Sequence, residues 1–586
     1  MEGEDFSSGE DLQLRIIGAL TECDYDVAKA LVDDEDNSKA LCSIGWDMVG
    51  KVCEMLSDES YKDSLQLRMC EHILQRLCQV GNAKEMLLAL LEQVDRFKGD
   101  HVFVTLLQPL QSCLLALPSR RYHSVALVVD TLCAHLSTLP VPSEQVLEGK
   151  ERKLLDNDED VTRMRDLALA FLHFLSAFIN DEACEKLRHK LSYSLYKILD
   201  VAVARYDVMR FEDGWEPHAR HVLDLAALQL FTLNQRRMYS HLIETRRTVE
   251  EQEAENKPEA ADDDDEEPEV ERVSEIGVSV FAFVVFGERR YFAELPQMLS
   301  HQFWFEVNLT FAQILLKHDS WLTQEKGVCL FTETIARVPQ ASLPAAFFSS
   351  PKVKLALQTL LHVVCSSASK TVSQQALRTF TTFLWSFDAS GRAAFVLFVM
   401  RKSKHSGVVG YVITQLKEMI HRNLAAGATE QVRQFRAPHL TKLLRCAFEL
   451  ADAERTDLIE ESDRIIASLN LLLYLLIRDP RTDDVTGIWS LLPEVERVFC
   501  AHLRTGINMS KAHYELELEQ VKAGKKIGSR FGDTEVELSV GQEVLPNMTK
   551  EQKVQMLSVG LHTFDVMQSI LGRISDKINT SQQQHP

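Results

Sequence analysis

Apolar residues recur at the spacing of an α-helix through almost the whole chain, from Asp11 to Ile578. The connectors between the apolar segments, such as Gly81-Asn82 and Pro118-Ser119, are short. Helices of about 12 to 22 residues joined by short connectors are typical of antiparallel helix pairs stacked side by side. The spacing therefore predicts an all-α fold, an elongated α-solenoid of irregular HEAT-like repeats with about forty residues per helix pair.

The most apolar helical segment lies between Thr456 and Leu518. On a helical wheel, one of its faces carries Ile465, Ile466, Leu469, Leu472, Leu473, Leu476 and Ile477. Leu471 and Leu475 lie nearly opposite, so this helix is apolar on two sides. A helix of this kind is expected to be buried between neighbours in a stacked array.

One segment departs from helical spacing. Val536, Leu538 and Val540 alternate with polar residues, and Gly541-Gln542 can form a turn. We therefore expect a small β-hairpin or an extended loop within residues 534–546. Thr549-Lys550-Glu551-Gln552 has the form of a capping box and marks the start of the last helix.

An acidic tract from Glu250 to Glu271 interrupts the helical pattern. It holds thirteen acidic residues and one lysine, so its net charge of −12 supplies more than half of the chain's −22. Self-repulsion and the lack of apolar side chains prevent a packed core there. We predict a helical-repeat region at 1–249, an acidic disordered loop at 250–272, a second helical-repeat region at 273–430 and a C-terminal helical region at 431–586. The alternative role for the tract is capture of a basic partner.

Charge, cysteine usage and hydropathy limit the possible functions and compartments. A net charge of −22 argues against sequence-independent binding to nucleic acid, which requires a surplus of Lys and Arg. No pair of cysteines has the C-x-x-C spacing, and we expect buried free thiols in a reducing compartment. Cysteines that lie in apolar helical patterns are Cys42, Cys53, Cys70, Cys78, Cys113, Cys133, Cys365 and Cys446.

The amino terminus and the apolar runs indicate the compartment more directly. The chain begins Met-Glu-Gly-Glu-Asp, without the basic and apolar regions of a secretory signal. The most apolar run, Ile276 to Phe286, is eleven residues long, whereas a bilayer requires about twenty. We therefore expect a cytoplasmic protein that does not bind membranes.

Motifs that mark catalytic or metal sites are missing from the sequence. It has no phosphate-binding loop, dinucleotide-binding motif, nucleophile elbow or zinc-protease motif. His218 and His221 can share one helical face, but no third metal ligand follows nearby. We predict a protein that is not an enzyme, with no catalytic residues, no metal and no cofactor.

A binding surface is the remaining possibility, and the helix near Ser510 offers two stripes for it. One stripe consists of Met509, Ala512, His513 and Leu516. The other consists of Lys511, Tyr514 and Leu518. If the first stripe faces the core, the second presents an exposed aromatic and aliphatic cluster beside a cation, which suits a protein interface. The alternative is that Tyr514 and Leu518 pack on the hairpin or on the last helix.

The segment Ser462–Leu472, followed about forty residues later by Asn508–Glu515, resembles the C-terminal half of the glomulin family, which is also called the FKBP-associated protein family. Other segments in the family's order are Gly45–Gly50, Leu106–Gln111, Leu139–Pro142, His405–Val408 and Thr563–Asp565. The resemblance covers nearly the whole chain, strongly in the last third and thinly between about residues 150 and 300. It identifies the chain as a vertebrate orthologue or a close relative within that family.

The resemblance implies an inhibitor of cullin-RING E3 ubiquitin ligases. Such an inhibitor binds the RING domain of the RING-box subunit, together with its cullin, and sterically blocks docking of the ubiquitin-conjugating enzyme. The candidate RING-binding residues are Arg464, Asn470, Asn508, Lys511, His513 and Tyr514, which match the family's motifs, and Leu518 from the stripe above. An adaptor for an FKBP-type immunophilin and a receptor tyrosine kinase is the alternative that the family also implies. A third possibility is a nuclear-transport-like solenoid whose acidic tract binds basic cargo.

Overall fold

The computed structural model describes residues 5–57, 64–96, 99–117, 121–142, 145–179, 187–211, 213–255, 272–296, 298–425, 434–523, 539–540, 543–544 and 549–584. The chain folds into two compact units. Unit 1 comprises residues 1–337 and 355–379, and unit 2 comprises residues 338–354 and 380–586.

Fourteen α-helices are described in the first part of unit 1. They are α1 (Asp5–Thr21), α2 (Tyr25–Asp33), α3 (Ser38–Ser57), α4 (Ser64–Val80), α5 (Ala83–Arg96), α6 (Asp100–Ala116), α7 (Arg121–Ser137), α8 (Glu159–Ile179), α9 (Arg188–Leu199), α10 (His218–Asn234), α11 (Met238–Glu255), α12 (Glu275–Ala282), α13 (His301–Lys317) and α14 (Trp321–Ile335).

The other ten described α-helices lie wholly or partly in unit 2. They are α15 (Ala345–Phe348), α16 (Pro351–Ser366), α17 (Lys370–Ser386), α18 (Ala389–Lys402), α19 (Ser406–Ala425), α20 (Thr441–Ala447), α21 (Ser462–Arg478), α22 (Ile488–Val495), α23 (Ala501–Ala523) and α24 (Lys550–Gln584). Helices α16 and α17 each contribute residues to both units.

The helices of unit 1 stack in two layers. In one layer α4 packs on α6, α6 on α8 and α8 on α10. In the other layer α3 packs on α5, α5 on α7 and α7 on α9. Each helix therefore contacts the corresponding helix of the next pair, as in a solenoid whose repeats contact only their neighbours. The predicted all-α helical-repeat fold is confirmed.

The apolar run that was too short for a membrane span forms a buried helix. Val278 and Phe281 in α12 are fully buried, and so are Phe283 and Phe286 in the π-helical turn Phe283–Gly287 that follows. These side chains pack against α9, α13 and α14. Among the described residues, no helix combines the length and the apolar character that crossing a membrane requires.

Helix α21 is the doubly apolar helix predicted near the carboxyl end. Leu469, Leu472 and Leu476 are buried on one face, Leu471 and Leu475 are buried on the other, and the helix packs between α19 and α24. The assignment of Ile477 to the buried face was wrong. Its side chain is 54% exposed, because it lies in the last turn of α21 at the edge of the buried face.

The predicted hairpin and helix start are both present. Strand β1 (Ser539–Val540) pairs antiparallel with β2 (Glu543–Val544), and Val540 lies opposite Glu543. The turn predicted at Gly541-Gln542 and the predicted strand residues at 536 and 538 lie outside the described residues. At α24 the Gln552 backbone N–H donates to Thr549 Oγ1 over 3.3 Å, and the Thr549 N–H donates to Gln552 Oε1 over 2.9 Å. This reciprocal pair is the capping box that the sequence predicts.

The first part of the acidic tract is helical. Helix α11 continues to Glu255, because Glu250 pairs with Arg246 one turn earlier, at 3.6 Å, and accepts a 2.8 Å hydrogen bond from Thr310 of α13. The predicted start of a disordered loop at Glu250 is therefore too early. Residues 256–271 lie outside the described residues. The four-part division of the chain at 249, 272 and 430 stays a prediction.

The described cysteines are free, and most of them are buried in helices. Cys42 and Cys365 are exceptions to the expected burial, since both are exposed. They lie on the solvent sides of α3 and α16, which the apolar spacing alone did not distinguish from the core sides. Burial, together with the smaller effects of the nearby Cys70 and Glu54, raises the pKa of the Cys53 thiol to about 12.

The buried thiols predict a loss of stability at alkaline pH. A thiol whose pKa is raised in the folded state contributes fully to stability below its unfolded pKa near 9, and that contribution is lost as the pH rises toward 12. Each such thiol changes the free energy of unfolding by at most about 1.4 kcal/mol per pH unit. We expect urea denaturation between pH 8 and pH 11 to show a smaller pH slope for Cys53→Ala than for the unsubstituted chain. Exposed Cys42→Ala is the control, and equal slopes for Cys53→Ala and the unsubstituted chain would contradict the prediction.

Candidate protein-interaction surface

Helix α23 is positioned by a close backbone contact at its start. Leu503, Gly506 and Ile507 are buried. A Cβ added at Gly506 would lie 3.0 Å from the Glu454 carbonyl oxygen, so glycine lets the helix approach the short 3₁₀ turn Ala453–Arg455 without displacing its backbone. The start of α23 is therefore held close to this turn, and the helix packs along α24.

An aromatic pair joins α23 to α24. The Tyr514 ring meets the Phe564 ring edge to face, with centroids 5.2 Å apart and an interplanar angle of 82°. Gly560 makes room for this contact, since a Cβ there would lie only 2.7 Å from Tyr514 Cε1. Burial raises the pKa of Tyr514, and the charges of Asp457 and Glu517 raise it further. Tyr514 therefore belongs to the packing between the two helices.

Lys511 is also engaged with α24. Its Nζ lies 2.5 Å from Asp565 Oδ1 and 3.4 Å from Gln568 Oε1. These bonds and the aromatic pair set the rotation of α23 about its own axis.

The assumption that the stripe of Met509 faces the core was wrong. Met509 is 59% exposed and Leu516 is 55% exposed, and Ala512 and His513 between them are also exposed. Lys511 and Tyr514 face α24, because the phenol ring finds Phe564 and the gap at Gly560 there. The alternative stated from the sequence, in which Tyr514 packs on the last helix, is the one observed.

The other predicted residues lie in three different environments. Arg464 is half-buried in the first turn of α21, and its guanidinium donates to the carbonyl oxygens of Cys446 and Glu449, at 3.4 and 3.0 Å. Cys446 lies in the last turn of α20 and Glu449 lies just beyond its end, so Arg464 satisfies carbonyls that a helix terminus leaves free. Asn470 is exposed on α21, and Leu518 is half-buried on α23.

The structure brings two of the predicted residues onto one open face. Asn508 and His513 lie beside Met509 and Leu516, and His513 Nε2 is 3.2 Å from Glu517 Oε1. We define the α23 surface as Asn508, Met509, Ala512, His513 and Leu516.

The two stripes of α23 left open from the sequence which side faces the core, and the residues that decide it lie on α24. Gly560, Phe564 and Asp565 complement Tyr514 and Lys511 in size and charge, whereas Met509 and Leu516 remain exposed. Those two side chains are seven residues apart, or about 10.5 Å along the helix. Apolar anchors at this spacing, flanked by an amide and an imidazole, suit insertion into a shallow apolar groove with a polar rim.

The described residues show no arrangement suited to a metal ion. No three His, Cys, Asp or Glu side chains within the described ranges come together as ligands. The His218 backbone N–H donates to Asp156 at the start of α10, and its Nδ1 lies 3.4 Å from Thr162 Oγ1.

Fold and surface together define an all-α helical-repeat protein with an open apolar helix face near its carboxyl end. Residues 27–156 and 307–559 match the family described as "Uncharacterised protein family, YAP/Alf4/glomulin". The two segments cover more than half of the chain, which therefore belongs to the YAP/Alf4/glomulin family.

Two relatives are similar over nearly their whole length. Glomulin of Mus musculus is 28% identical over 572 residues, which cover 94% of this chain and 90% of that protein. Glomulin of Homo sapiens is 27% identical over 598 residues, which cover 99% of this chain and 95% of that protein. The resemblance recognised from the sequence motifs is confirmed, and the second matched segment of the family includes the α23 surface.

Proposed function

We propose that this protein inhibits cullin-RING E3 ubiquitin ligases in the cytoplasm by binding the RING domain of the RING-box subunit. The bound protein occupies the RING surface on which the ubiquitin-conjugating enzyme docks, so ubiquitin transfer stops. Family membership is the observation that carries this proposal, since the family match runs through the C-terminal helices to residue 559.

The exposed side chains of α23 are consistent with this role. A RING surface that receives a conjugating enzyme is a shallow apolar groove with a polar rim, and a competitor requires aliphatic anchors. Met509 and Leu516 supply such anchors, and the unbranched Met509 adapts to an irregular groove. Asn508 and His513 supply hydrogen-bonding groups for the rim. Lys511 and Tyr514 act indirectly, because they hold α23 on α24 and so fix which face is presented.

The mechanism is competitive and requires no catalytic residue. The inhibitor and the conjugating enzyme exclude each other from one surface, so the degree of inhibition depends on their relative concentrations and affinities. Addition of more conjugating enzyme is expected to restore transfer. A protein that merely sequestered ubiquitin or inactivated the ligase would not show this dependence.

Introduction of negative charge on the α23 surface is expected to weaken inhibition. Met509→Glu combined with Leu516→Glu removes two apolar anchors and places two charges against an apolar groove. We expect the concentration for half-inhibition to rise roughly 10- to 100-fold, as for the loss of two interface anchors. The measurement is ubiquitin transfer by a neddylated cullin-RING ligase as the full-length protein is titrated in.

The matched control is Leu88→Glu on α5, because Leu88 is 52% exposed and lies in unit 1. It is expected to inhibit like the unsubstituted protein. Substitutions of Lys511 or Tyr514 are unsuitable here, since they also disturb the packing of α23 on α24. Equal inhibition by the double variant and the unsubstituted chain, at equal melting temperatures, would remove the α23 surface from the proposal. If the unsubstituted chain fails to inhibit, the proposed function itself is wrong.

A further inference from the structure

Unit 2 contains an open groove of about 660 Å³ that lies between helices α20 and α22. Arg401, in the last turn of α18, and Val498, in the π-helical turn Glu496–Cys500, also line it. Volumes of about 300–1,000 Å³ are typical of ligand sites. We call the space lined by α20, α22 and Arg401 the α20 groove. None of its lining residues belongs to the α23 surface.

The segment that supplies more than half of the lining is basic, although the whole chain is strongly acidic. Residues 389–448 contain ten Lys and Arg residues against two Glu and no Asp. Their net charge is therefore +8, in a chain whose net charge is −22. A local surplus of this size attracts negatively charged ligands to this part of the surface.

Two cations of the groove are available to such a ligand. Arg401 and Lys442 are exposed, and no carboxylate oxygen of the described residues lies within 4.0 Å of their charged nitrogen atoms. Arg401 reaches from α18 to the Cys446 thiol on α20. Burial raises the pKa of that thiol, whereas a hydrogen bond from Arg401 and the charge of Arg401 act to lower it.

A third cation is held in position by a carboxylate of the groove. Arg445 Nε lies 3.1 and 3.2 Å from the two carboxylate oxygens of Glu494, and Nη2 donates to Oε2 over 2.9 Å. The Nη1 group has no acceptor among the described residues. Glu494 therefore fixes the Arg445 guanidinium while leaving donors for a second anion.

The carboxylates around the groove do not cancel its cations. Glu494 is paired with Arg445, and Glu449 is the second carboxylate of the lining. Arg464 lies beside Glu449, since it donates to the Glu449 carbonyl oxygen over 3.0 Å, and its own carboxylate partner is Glu461 at 3.7 Å. Three cations and two carboxylates thus line the groove, and the pair behind it is neutral.

The charged residues adjacent in the chain to the lining increase this positive excess. Lys402 and Arg497 are exposed cations. Glu496 is the adjacent carboxylate, and it is paired with Arg504. The groove and its immediate surroundings are therefore positively charged when both signs are counted.

The floor of the groove is apolar. Phe448, Leu491 and Val495 line it and are 3–5% exposed. Val498 is half-buried and Pro438 is exposed, so both offer apolar surface to a ligand. A ligand that carries only charge leaves this surface uncovered, whereas one with carboxylates and an aliphatic side chain uses the rim and the floor together.

We propose that the α20 groove binds an acidic peptide segment of a partner protein. Asp or Glu carboxylates of the peptide bind Arg401, Lys442 and Arg445, and an aliphatic side chain between them covers Val498 and Pro438. Hydrogen bonds between guanidinium and carboxylate groups are charge-assisted and therefore among the stronger ones. This site is separate from the proposed RING-binding function and does not depend on it.

The groove is less suited to nucleic acid. Single-stranded nucleic acid binds through stacking of its bases on accessible aromatic side chains. The aromatic residue of the lining, Phe448, is 3% exposed and packs against Phe499 with ring centroids 5.8 Å apart. The chain's net charge of −22 also repels a long phosphate backbone, whereas a short peptide meets mainly the local cations.

Fluorescence polarisation with the full-length chain tests the proposal. The probes are short labelled peptides of Glu and Asp with two leucines, in which the spacing between the leucines is varied. One comparison set replaces Glu and Asp by Gln and Asn, and another replaces the leucines by serine. We expect saturable binding in the acidic leucine set, at least about tenfold tighter than in the amide set. Equal binding in these two sets, or no binding in the acidic set, would overturn the proposal.

Reversal of the two available cations tests their role. Arg401→Glu combined with Lys442→Glu breaks no ion pair among the described residues. We expect affinity for the tightest acidic peptide to fall at least about tenfold, since two attractions become repulsions. Lys51→Glu with Lys84→Glu is the matched control, because both lysines are exposed in unit 1 and the net charge changes equally. Unchanged affinity in the groove variant, or equal losses in both variants, would contradict the proposal.

The variant Val498→Ser tests the apolar floor through a ratio of affinities. The ratio compares the leucine peptides with the serine peptides in the same protein sample, so it does not depend on the fraction of folded chain. We expect the preference for leucine to fall several-fold, because the aliphatic contact at Val498 is lost. An unchanged preference would show that charge alone attracts the peptides, and the groove would not be their site.

Two competitors represent other occupants of the groove. A peptide with the sequence of residues 256–271 represents the chain's own acidic tract, and oligouridylate represents single-stranded RNA. Both are expected to compete more weakly than the tightest leucine peptide, since neither offers a leucine to the apolar floor. Stronger competition by either of them would refute the assignment of the groove to a peptide of a partner protein.

Discussion

Replacement of Arg152 by leucine is expected to lower the free energy of unfolding by about 3–5 kcal/mol, the range for removal of one partner from a buried ion network. The Arg152 guanidinium forms two hydrogen bonds with Asp207 and two with Glu325, and it lies over the Trp321 ring at 5.1 Å. The side chains of Arg152, Asp207 and Glu325 are only 12%, 1% and 11% exposed. Without Arg152, two carboxylates remain buried without their cation.

The pKa of Arg152 shows that its ion pairs together have a larger effect at this site than its burial. Burial acts to lower it, but the hydrogen bonds and charges of Glu325 and Asp207 outweigh burial, and the pKa is raised. Urea denaturation followed by circular dichroism measures the loss of stability. Arg96→Leu is the control. The N–O distance of the Arg96–Glu54 pair is also 2.9 Å, but both side chains are more than half exposed. That change is expected to cost less than about 1 kcal/mol. Equal losses for the two variants would contradict a stabilising role for burial of the Arg152 network.

Gly277→Ala is expected to lower the free energy of unfolding by about 3 kcal/mol or more, at the upper end of the range for overpacking. A Cβ at Gly277 would lie 1.8 Å from the carbonyl oxygen of Tyr196 and 2.6 Å from its carbonyl carbon. Both atoms belong to the backbone of α9, so no side-chain rotation can relieve the overlap. Helix α12 would have to move away from α9, which would open the packing around the buried Phe281.

Gly572→Ala on α24 is the matched control for this prediction. Gly572 is exposed within a helix, and nothing lies within 4 Å of an added Cβ. Alanine is favoured over glycine inside a helix by about 0.5–1 kcal/mol, so this variant is expected to be slightly more stable than the unsubstituted chain. Thermal unfolding of both variants provides the comparison. A similar melting temperature for Gly277→Ala and the unsubstituted chain would show that α12 does not need its close approach to α9.

The α23 surface shows what helical spacing can predict and what it cannot. The spacing identifies a helix around Ser510 and divides it into two stripes, and both of these features are present. It does not say which stripe is covered, because each stripe mixes apolar and polar residues. The choice depends on Phe564 and Gly560, which lie about fifty residues later and meet Tyr514 only when α24 folds back along α23.

The cavity beside the 3₁₀ helix Gly149–Asn157 illustrates the same limit more strongly. Asp156, Tyr206 and Asp319 line it and come from three distant segments, and no motif joins them in the sequence. Packing of the 3₁₀ helix Gly149–Asn157 near the start of α14 brings them together. Within the described residues the Tyr206 hydroxyl has no hydrogen-bond partner, and no residue pattern reports this property of the packing.

Local interactions explain the features that the sequence determined by itself. Apolar spacing decides where a helix lies and that α21 is buried on both sides, and the Thr549–Gln552 pair decides where α24 begins, because these interactions join residues within one or two turns. The tertiary structure alone decided which face of α23 meets solvent, which carboxylates surround Arg152 and where a cavity remains. Each of these depends on contacts between segments far apart in the chain, and the free energy of such contacts is set by shape and charge in three dimensions.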